Sequence, residues 1–203
     1  MSFYTGIHHT AFATGDIEKT VRFWRDLLGM RLIYAYGQPG YRQYFFEISH
    51  DSRISFFEWP GVEAPARRRH GEPASGPFTF DHFSIGVPDE KALWEIMGRL
   101  DGADFGCSDV IDHGYFLSIY TYDPNNIPIE FTCNAAGINV LEQADLRDHV
   151  AQTEALMHSD PNPKFWPPPD PIPVEEQLIV AGEGSEHFEQ PSWMIRCITK
   201  PAD

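Results

Sequence analysis

Histidine and glutamate recur in this chain at matched positions, and together they could bind a metal ion. His9 begins the segment HTAFATGD and His82 begins HFSIGVPD, each with an aspartate seven residues later. Glu58 follows the first histidine by 49 residues, and Glu130 follows the second by 48 residues. Neutral imidazole together with carboxylate suits Fe(II), Mn, Ni or Zn. The doubled pattern therefore predicts a metal site that takes ligands from both halves of the chain.

The number of protein ligands would decide which chemistry such a site performs. Two histidines and one carboxylate on one face leave open positions for substrate and oxygen, the arrangement of non-haem Fe(II) oxygenases. A fourth protein ligand favours a Lewis-acid metal that binds substrate oxygens or activates water. Each of these residues, taken alone, is more often structural than a metal ligand. The matched spacing in the two halves favours the metal site.

The residues around the two histidines predict the same order of secondary structure twice. After a strand over residues 3–14, Asp16 is a favourable N-cap for a helix. Apolar residues from Ile17 to Leu28 then follow the spacing of one helical face. Three strands follow, at residues 31–36, 41–49 and 53–59. The first half is therefore predicted to have the order β-α-β-β-β.

The same order returns after a linker rich in Pro, Gly, Ala and Arg, residues 61–77, which contains His70. A strand at residues 79–87 and a helix from 88 to 100 precede three strands, at residues 107–112, 115–122 and 127–132. The pattern predicts an α+β domain over residues 1–135. Two βαβββ modules, residues 3–60 and 78–133, are expected to form an open, curled mixed sheet in it.

The remaining residues, 136–203, do not continue the repeat. Residues 141–157 have the apolar spacing of a helix. The segment PNPKFWPPPDPIP, residues 161–173, is too rich in proline for a regular helix or a central strand, because proline lacks the amide donor. We expect this C-terminal part to be a helix followed by an extended arm, which covers the cup as a lid or wraps a partner subunit.

Composition excludes several classes of function. The formal net charge is −15, which argues against binding to nucleic acid or to an anionic membrane. No stretch approaches the roughly 20 apolar residues needed to span a bilayer, and the N-terminal residues lack the pattern of a signal peptide. The three cysteines are widely spaced without a CxxC pair, which favours a reduced, cytoplasmic protein.

Two segments of the sequence resemble the vicinal oxygen chelate superfamily, which includes glyoxalase I, bleomycin-resistance proteins and type I extradiol dioxygenases. HTAFATGDIEKTVRFWRDLLGM resembles the first strand and helix of that family, and YTYDPNNIPIEF resembles its closing hairpin. The likeness covers residues 3–133. It implies a protein that binds a small molecule and forms a homodimer. Asn126 stands where this hairpin usually has Gly or Pro, and asparagine tolerates the left-handed conformation that such a turn needs.

The residues around the second glutamate resemble the extradiol branch most closely. His113 is followed at the family's spacing by Tyr120, by Asp123-Pro124 and by Glu130. The resemblance implies Fe(II) held by His9, His82 and Glu130. It also implies that Tyr120 hydrogen-bonds a substrate oxygen, that His113 lies nearby, and that His70 acts as acid and base.

The leading hypothesis is therefore an Fe(II)-dependent ring-cleaving dioxygenase that acts on a catechol-like aromatic substrate and O₂. Aromatic side chains are expected to line its cup, with Phe46, Phe56, Tyr115 and Tyr120 as candidates. The first alternative is a glyoxalase I-like lyase or isomerase, in which Glu58 is a fourth ligand to Mn, Ni or Zn. The second alternative is a bleomycin-resistance-like protein that binds a small molecule without metal.

Overall fold

The computed structural model describes residues 5–77, 80–138, 160–161, 169–177 and 179. The chain divides into two compact units, residues 1–145 and 146–203. Among the described residues of the second unit, Val174–Glu176 form one turn of 3₁₀ helix. The predicted helix over residues 141–157 and most of the proline-rich arm lie outside the described residues. No helix in the described ranges has the length and apolar character needed to cross a membrane.

The first module has the predicted order of elements. Its elements are β1 (His9–Thr14), α1 (Ile17–Val21), a π-helical segment (Arg22–Leu27), β2 (Leu32–Gln38), β3 (Tyr41–Ser49) and β4 (Ser52–Glu58). Strand β1 pairs in parallel with β4. Strand β4 pairs with β3, and β3 pairs with β2, both in antiparallel orientation.

The second module repeats the order and the pairing. Its elements are β5 (Phe83–Gly86), α2 (Glu90–Gly102), β6 (Ile111–Asp112), β7 (Phe116–Tyr122) and β8 (Pro128–Asn134). Strand β5 pairs in parallel with β8, and β8, β7 and β6 are antiparallel neighbours. The predicted pair of βαβββ modules is thus confirmed. Hydrogen bonding joins the described strands into two four-stranded mixed sheets, one in each module.

Hydrogen bonds define the start of the first helix and the π-helical geometry of its second half. The Asp16 side chain accepts a hydrogen bond from the Lys19 amide, as an N-cap should. Toward the C-terminal end the amide of Leu28 bonds to the carbonyl of Phe23 at 3.0 Å, a five-residue step instead of the four of an α-helix. The predicted helix over residues 17–28 is therefore present, but its second half is π-helical.

Side chains from both modules share one hydrophobic core. Each large apolar side chain that is fully buried contributes on the order of 1.5–3 kcal/mol to folding. Trp24 and Phe56 have ring centroids 5.6 Å apart in this core. Fully buried members from the two modules include Trp24, Phe46, Phe56, Leu93, Ile119 and Phe131.

A buried carboxylate ties the first helix to the turn between β7 and β8. Trp24 Nε1 donates to Asp123 Oδ2 at 3.3 Å, and the amides of Asn125 and Ile127 donate to Oδ1 at 2.8 and 2.9 Å. Burial raises the pKa of Asp123, while these hydrogen bonds oppose the rise. Asn126 has a φ of 59°, the left-handed conformation expected at this position. The Asp-Pro-Asn-Asn turn therefore joins the two modules as well as closing the hairpin.

Replacing Asp123 by alanine is expected to destabilise the protein by about 2–4 kcal/mol, because four buried donors, including Asn125 Nδ2 at 2.9 Å, lose their acceptor together. Urea unfolding followed by circular dichroism and tryptophan fluorescence measures the loss. Asp51→Ala is the matched control, since the Asp51 side chain is 68% exposed and pairs with His50 at the surface. Equal unfolding midpoints for the two variants would show that the buried network contributes nothing.

Candidate metal centre

One face of the second sheet brings together most of the predicted site. The β5–β8 register places Ser84 beside Glu130, and the β7–β8 register places Tyr120 beside the same glutamate. Residues two apart on an extended chain point to the same side. His82 therefore shares this face with Ser84, which explains why its ring reaches Glu130.

His82 and Glu130 face each other with a carboxylate fixed behind the histidine. His82 Nε2 lies 3.0 Å from Glu130 Oε2, and its Nδ1 lies 2.6 Å from Asp81 Oδ1. Asp81 also accepts the Gly71 amide at 3.0 Å. A carboxylate at Nδ1 assigns the proton of a neutral imidazole to that nitrogen. The lone pair on Nε2 then points at a carboxylate oxygen, so the pair needs either a second proton or a cation.

The surroundings of Glu130 favour a cation. The side chain is 5% exposed, and its Oε1 has no hydrogen-bond partner. Burial works to raise the pKa of Glu130, but the hydroxyl groups of Ser118, Tyr120 and Ser84 and the charge of His82 outweigh it and lower the pKa. A buried, ionised oxygen without a partner is costly unless an ion compensates it.

The spacing of the pair also fits a metal. Two ligand atoms bound at about 2.1 Å and at right angles lie about 3.0 Å apart, which is the observed Nε2–Oε2 separation of 3.0 Å. Imidazole and carboxylate suit Mn, Fe, Ni and Zn. The residues present therefore fit a divalent metal ion.

His70 extends the site from the linker between the modules. Its ring centroid lies 4.8 Å from that of Tyr120 and 5.7 Å from that of His82. Both ring nitrogens are buried and lack a hydrogen-bond partner. Burial, followed by the charge of His82, lowers the pKa of His70. A neutral imidazole with free nitrogens can accept a proton or bind a metal, and ligand atoms of His70, Asp81 and His82 lie within 4.8 Å of one another.

Tyr120 and His113 form the remaining part of the predicted group. His113 Nε2 lies 3.0 Å from the Tyr120 hydroxyl oxygen. Burial, followed by hydrogen bonding and charge from Glu130, raises the pKa of Tyr120 to about 12. The phenol therefore keeps its proton at neutral pH and can donate a hydrogen bond.

Glu58 lies on the wrong face of its strand to join His9. The β1–β4 register places His9 beside Arg53 and Glu58 beside Thr14. Because side chains alternate, the face of Arg53 continues through Ser55, and Glu58 points to the opposite side. Ser55 pairs with Ala11 as Glu130 pairs with Ser84, so Ser55 is the counterpart of Glu130.

The contacts of Glu58 give it a structural role instead. Its Oε1 accepts the amide of Ile17 at 2.9 Å at the start of the first helix, and its Oε2 pairs with Arg42. The near-equal spacing of 49 and 48 residues from the two histidines does not correspond to equal strand register. Paired positions are 44 residues apart in the first module (His9–Arg53) and 46 in the second (Phe83–Ile129).

His9 and two of the aromatic candidates are not part of the group around His82. His9 is exposed, with its Nδ1 2.9 Å from His8 Nδ1 and its ring edge-on to Phe45. Among the described residues it does not enter the possible metal-binding cluster, which is formed by His70, Asp81 and His82. Phe46 and Phe56 are fully buried in the core and do not line a cup, whereas Tyr115 is exposed.

Asp81 is the residue that sequence reasoning missed. Its position directly before a predicted ligand histidine was the one available signal, because an adjacent carboxylate can orient an imidazole. The repeat does not reveal it, since the residue before His9 is His8 instead of an acid.

Comparison with known proteins places these modules in a family. Residues 6–131 match the family model of the Glyoxalase/Bleomycin resistance protein/Dioxygenase superfamily. The chain is 27% identical over 134 residues to lactoylglutathione lyase of Haemophilus influenzae, and the match covers 63% of this chain and 92% of that protein.

Solved structures show the same fold at low sequence identity. A glyoxylase/bleomycin resistance protein/dioxygenase domain from Frankia sp. EAN1pec has a TM-score of 0.55 and 16% identity, and the match covers 65% of this chain and 99% of that one. A glyoxalase family protein from Enterococcus faecalis has a TM-score of 0.50 and 18% identity, with coverage of 64% and 99%.

Proposed function

Since the chain belongs to the Glyoxalase/Bleomycin resistance protein/Dioxygenase superfamily, we propose that it is a metal-dependent lyase or isomerase similar to lactoylglutathione lyase. The observation that carries the proposal is the approach of His82 Nε2 to Glu130 Oε2 at 3.0 Å, a separation that a metal ion bound by both atoms would give, together with the buried Glu130 Oε1, which has no hydrogen-bond partner. Asp81 fixes the histidine for this role. The similarity to the Haemophilus influenzae lyase supports this reaction class over ring cleavage.

Each residue of the group has a distinct part in this reaction. His82 and Glu130 would hold the metal ion, which supplies Lewis-acid polarisation of two vicinal oxygens of the substrate when bound. His70 accepts a proton from the carbon beside the carbonyl and returns it to the neighbouring carbon. The result is an isomerisation that consumes no oxidant, and His70 ends in the protonation state in which it began.

Tyr120 and His113 act on the substrate oxygen. In the tautomer that donates from Nε2, His113 bonds to the Tyr120 oxygen and does not take up the phenolic proton, which then points to an acceptor at the metal centre, either Glu130 or a substrate oxygen. Because the pKa of Tyr120 is raised to about 12, it serves as a hydrogen-bond donor throughout the reaction. It stabilises negative charge that develops on that oxygen.

His9 joins this proposal through a second copy of the chain. Its exposed ring lies on the first sheet, on the same face as Ser55, and does not approach His82 in the described part of one chain. A homodimer would present His9 of one subunit to His82 and Glu130 of the other. His9 would then remain the third ligand, supplied by a different subunit from the one that supplies His82 and Glu130.

A ring-cleaving dioxygenase is the second candidate, and the arrangement around Tyr120 favours it. His113 and His70 both lie against Tyr120, as the extradiol resemblance implies. Ser55 replaces a second carboxylate, which leaves Glu130 as the carboxylate that faces His82 and matches a site with two histidines and one carboxylate. In this case the metal is Fe(II), and the substrates are a catechol and O₂.

One set of assays distinguishes the candidates. Protein purified without chelator is analysed for metal and then loaded separately with Mn(II), Ni(II), Zn(II) or, without oxygen, Fe(II). We expect metal-dependent conversion of the hemithioacetal of methylglyoxal and glutathione to the thioester. Oxygen uptake with a yellow product from catechols, without hemithioacetal conversion, would establish the dioxygenase instead. If the protein binds none of these metals, both enzyme candidates fail. The remaining candidate is then a protein that binds a small molecule without metal.

A further inference from the structure

We infer that the cavity next to the metal centre binds an acidic group of the substrate, either a carboxylate or a phosphoryl group. The inference rests on the proposed function, because it names the substrate class for the same site. The cavity has a volume of about 480 Å³ and is lined by Arg67 and Arg69 together with His70 and Tyr120. His70 and Tyr120 also lie against the ring of His82, at centroid distances of 5.7 Å each, so the cavity is next to the candidate metal centre.

Arg67 is held in place by neutral groups. Its Nε donates to Asn126 Oδ1 at 2.8 Å, and its guanidinium carbon lies 4.9 Å from the centroid of the Tyr122 ring. Neither partner neutralises the positive charge. A planar guanidinium that is oriented but not neutralised is well suited to bind a carboxylate or phosphoryl group through two parallel hydrogen bonds.

Arg69 adds a second charge at the same cavity. Its side chain is exposed, and within the described residues neither Arg69 nor Arg67 forms a salt bridge. The contrast with the rest of the chain is informative, because the chain has 30 acidic residues and 15 basic ones. Arginines that do pair with a carboxylate are Arg22, Arg25, Arg31, Arg42 and Arg99.

Asp81 and Glu130, the acidic groups that act on His70, are already engaged. Asp81 accepts the Gly71 amide and bonds to His82, and Glu130 faces the same histidine. They leave the two arginines available to an anion from solution. A negatively charged molecule that reaches an acidic protein needs such a local concentration of positive charge.

The closeness of the cavity to the metal centre defines the substrate class. Its acidic group lies at Arg67 and Arg69, and its vicinal oxygens lie at His82 and Glu130, with His70 and Tyr120 between them. Small-molecule sites typically have volumes of about 300–1,000 Å³, so a cavity of about 480 Å³ can hold the acidic part of a substrate. The substrate class is therefore an organic molecule that carries two vicinal oxygens and, in the same molecule, a carboxylate or phosphoryl group.

Hydroxamates test the inference because they chelate metal through two vicinal oxygens and can carry different tails. Binding of acetohydroxamate, succinohydroxamate and phosphonoacetohydroxamate to the Mn(II)-loaded protein is measured by calorimetry. We expect at least one anionic compound to bind about 10-fold or more tightly than the neutral one. The preference for succinohydroxamate or phosphonoacetohydroxamate tells a carboxylate site from a phosphoryl site.

Variants assign the preference to the two arginines. The single variant Arg69→Gln and the double variant Arg67→Gln/Arg69→Gln are expected to reduce the preference for anionic hydroxamates stepwise. The affinity for acetohydroxamate is expected to stay unchanged. Arg22→Gln is the matched control, because Arg22 is exposed and pairs with Glu18 elsewhere on the first module. Equal binding of all three compounds by the wild-type protein, or a preference that survives in the double variant, would overturn the inference.

The proposed function can fail separately from this inference. If acetohydroxamate shows no metal-dependent binding, the proposed metal centre is rejected. Phosphonoacetohydroxamate and succinohydroxamate are then titrated into the metal-free protein. Weaker binding that still depends on Arg67 and Arg69 supports the acidic-group site on its own, and absence of binding rejects it.

Discussion

Replacing Glu130 by alanine is expected to lower the affinity for a divalent metal ion at least about 100-fold, because even residues behind a metal ligand contribute about 10–100-fold. Glu130 supplies the buried oxygen that faces His82 Nε2 at 3.0 Å and a second oxygen with no hydrogen-bond partner. Its loss leaves His82 without the neighbouring carboxylate that would share the ion. Calorimetric titration with Mn(II) and Zn(II), after circular dichroism has confirmed the fold, measures the change.

Glu58→Ala is the matched control for this experiment. Glu58 lies at the end of β4, on the face opposite that of Ser55, and bonds to the Ile17 amide and to Arg42. We expect wild-type metal affinity and a loss of stability of about 1 kcal/mol, because a hydrogen bond at a helix start and a partly exposed ion pair disappear. A fall in metal affinity as large as that of Glu130→Ala would contradict the face assignment and restore the four-ligand site.

Replacing His70 by glutamine is expected to reduce kcat by about 10²–10⁴-fold while the metal affinity stays near the wild-type value. The imidazole lies against Tyr120 and His82 with both nitrogens free, and burial lowers its pKa so that the base form is present at neutral pH. Glutamine fills similar space but cannot take up a proton. Steady-state kinetics of the metal-loaded enzyme and a metal titration of the same preparation give both values.

His50→Gln controls for the loss of a histidine as such. The His50 ring is 95% exposed and pairs with Asp51 at the surface. Its replacement is expected to change neither kcat nor metal binding. If His70→Gln lowers metal affinity together with kcat, His70 is a ligand that acts with Asp81 and His82 and not the base.

The sequence was sufficient to predict features that depend on local spacing. Asp16 and the apolar positions that follow it predicted a helix, and the structure has the cap and the buried face. The second module brings His82 to Glu130 and His113 to Tyr120, because the motif fixes the positions of these residues on adjacent strands. Asn126 takes the left-handed conformation that its side chain tolerates.

Tertiary structure alone decided the features that depend on register and on the path of the linker. Counting residues from His9 to Glu58 includes the helix, two strands and their loops, so the total does not state which residues pair. Irregular pairing at Leu32/Tyr34 and Glu47/Ser49 shifts the register in the first module. The β1–β4 pairing itself is regular and sets Ser55 beside Ala11, three residues before Glu58. An odd offset puts the two side chains on opposite faces of the strand, so Ser55 lies where Glu58 was expected.

The linker could not be interpreted from its composition for a similar reason. Proline, glycine and arginine residues predict an irregular segment but not the surface against which it lies. The fold brings His70 to Tyr120 and aligns Arg67 with Tyr122, contacts between residues about 50 positions apart in the chain. Sequence therefore determined the repeated modules and the His82–Glu130 pair. Three-dimensional contacts decided which other groups surround that pair. The physical reason is that strand register and long-range packing, not spacing along the chain, set the face on which a side chain lies and the residues it contacts.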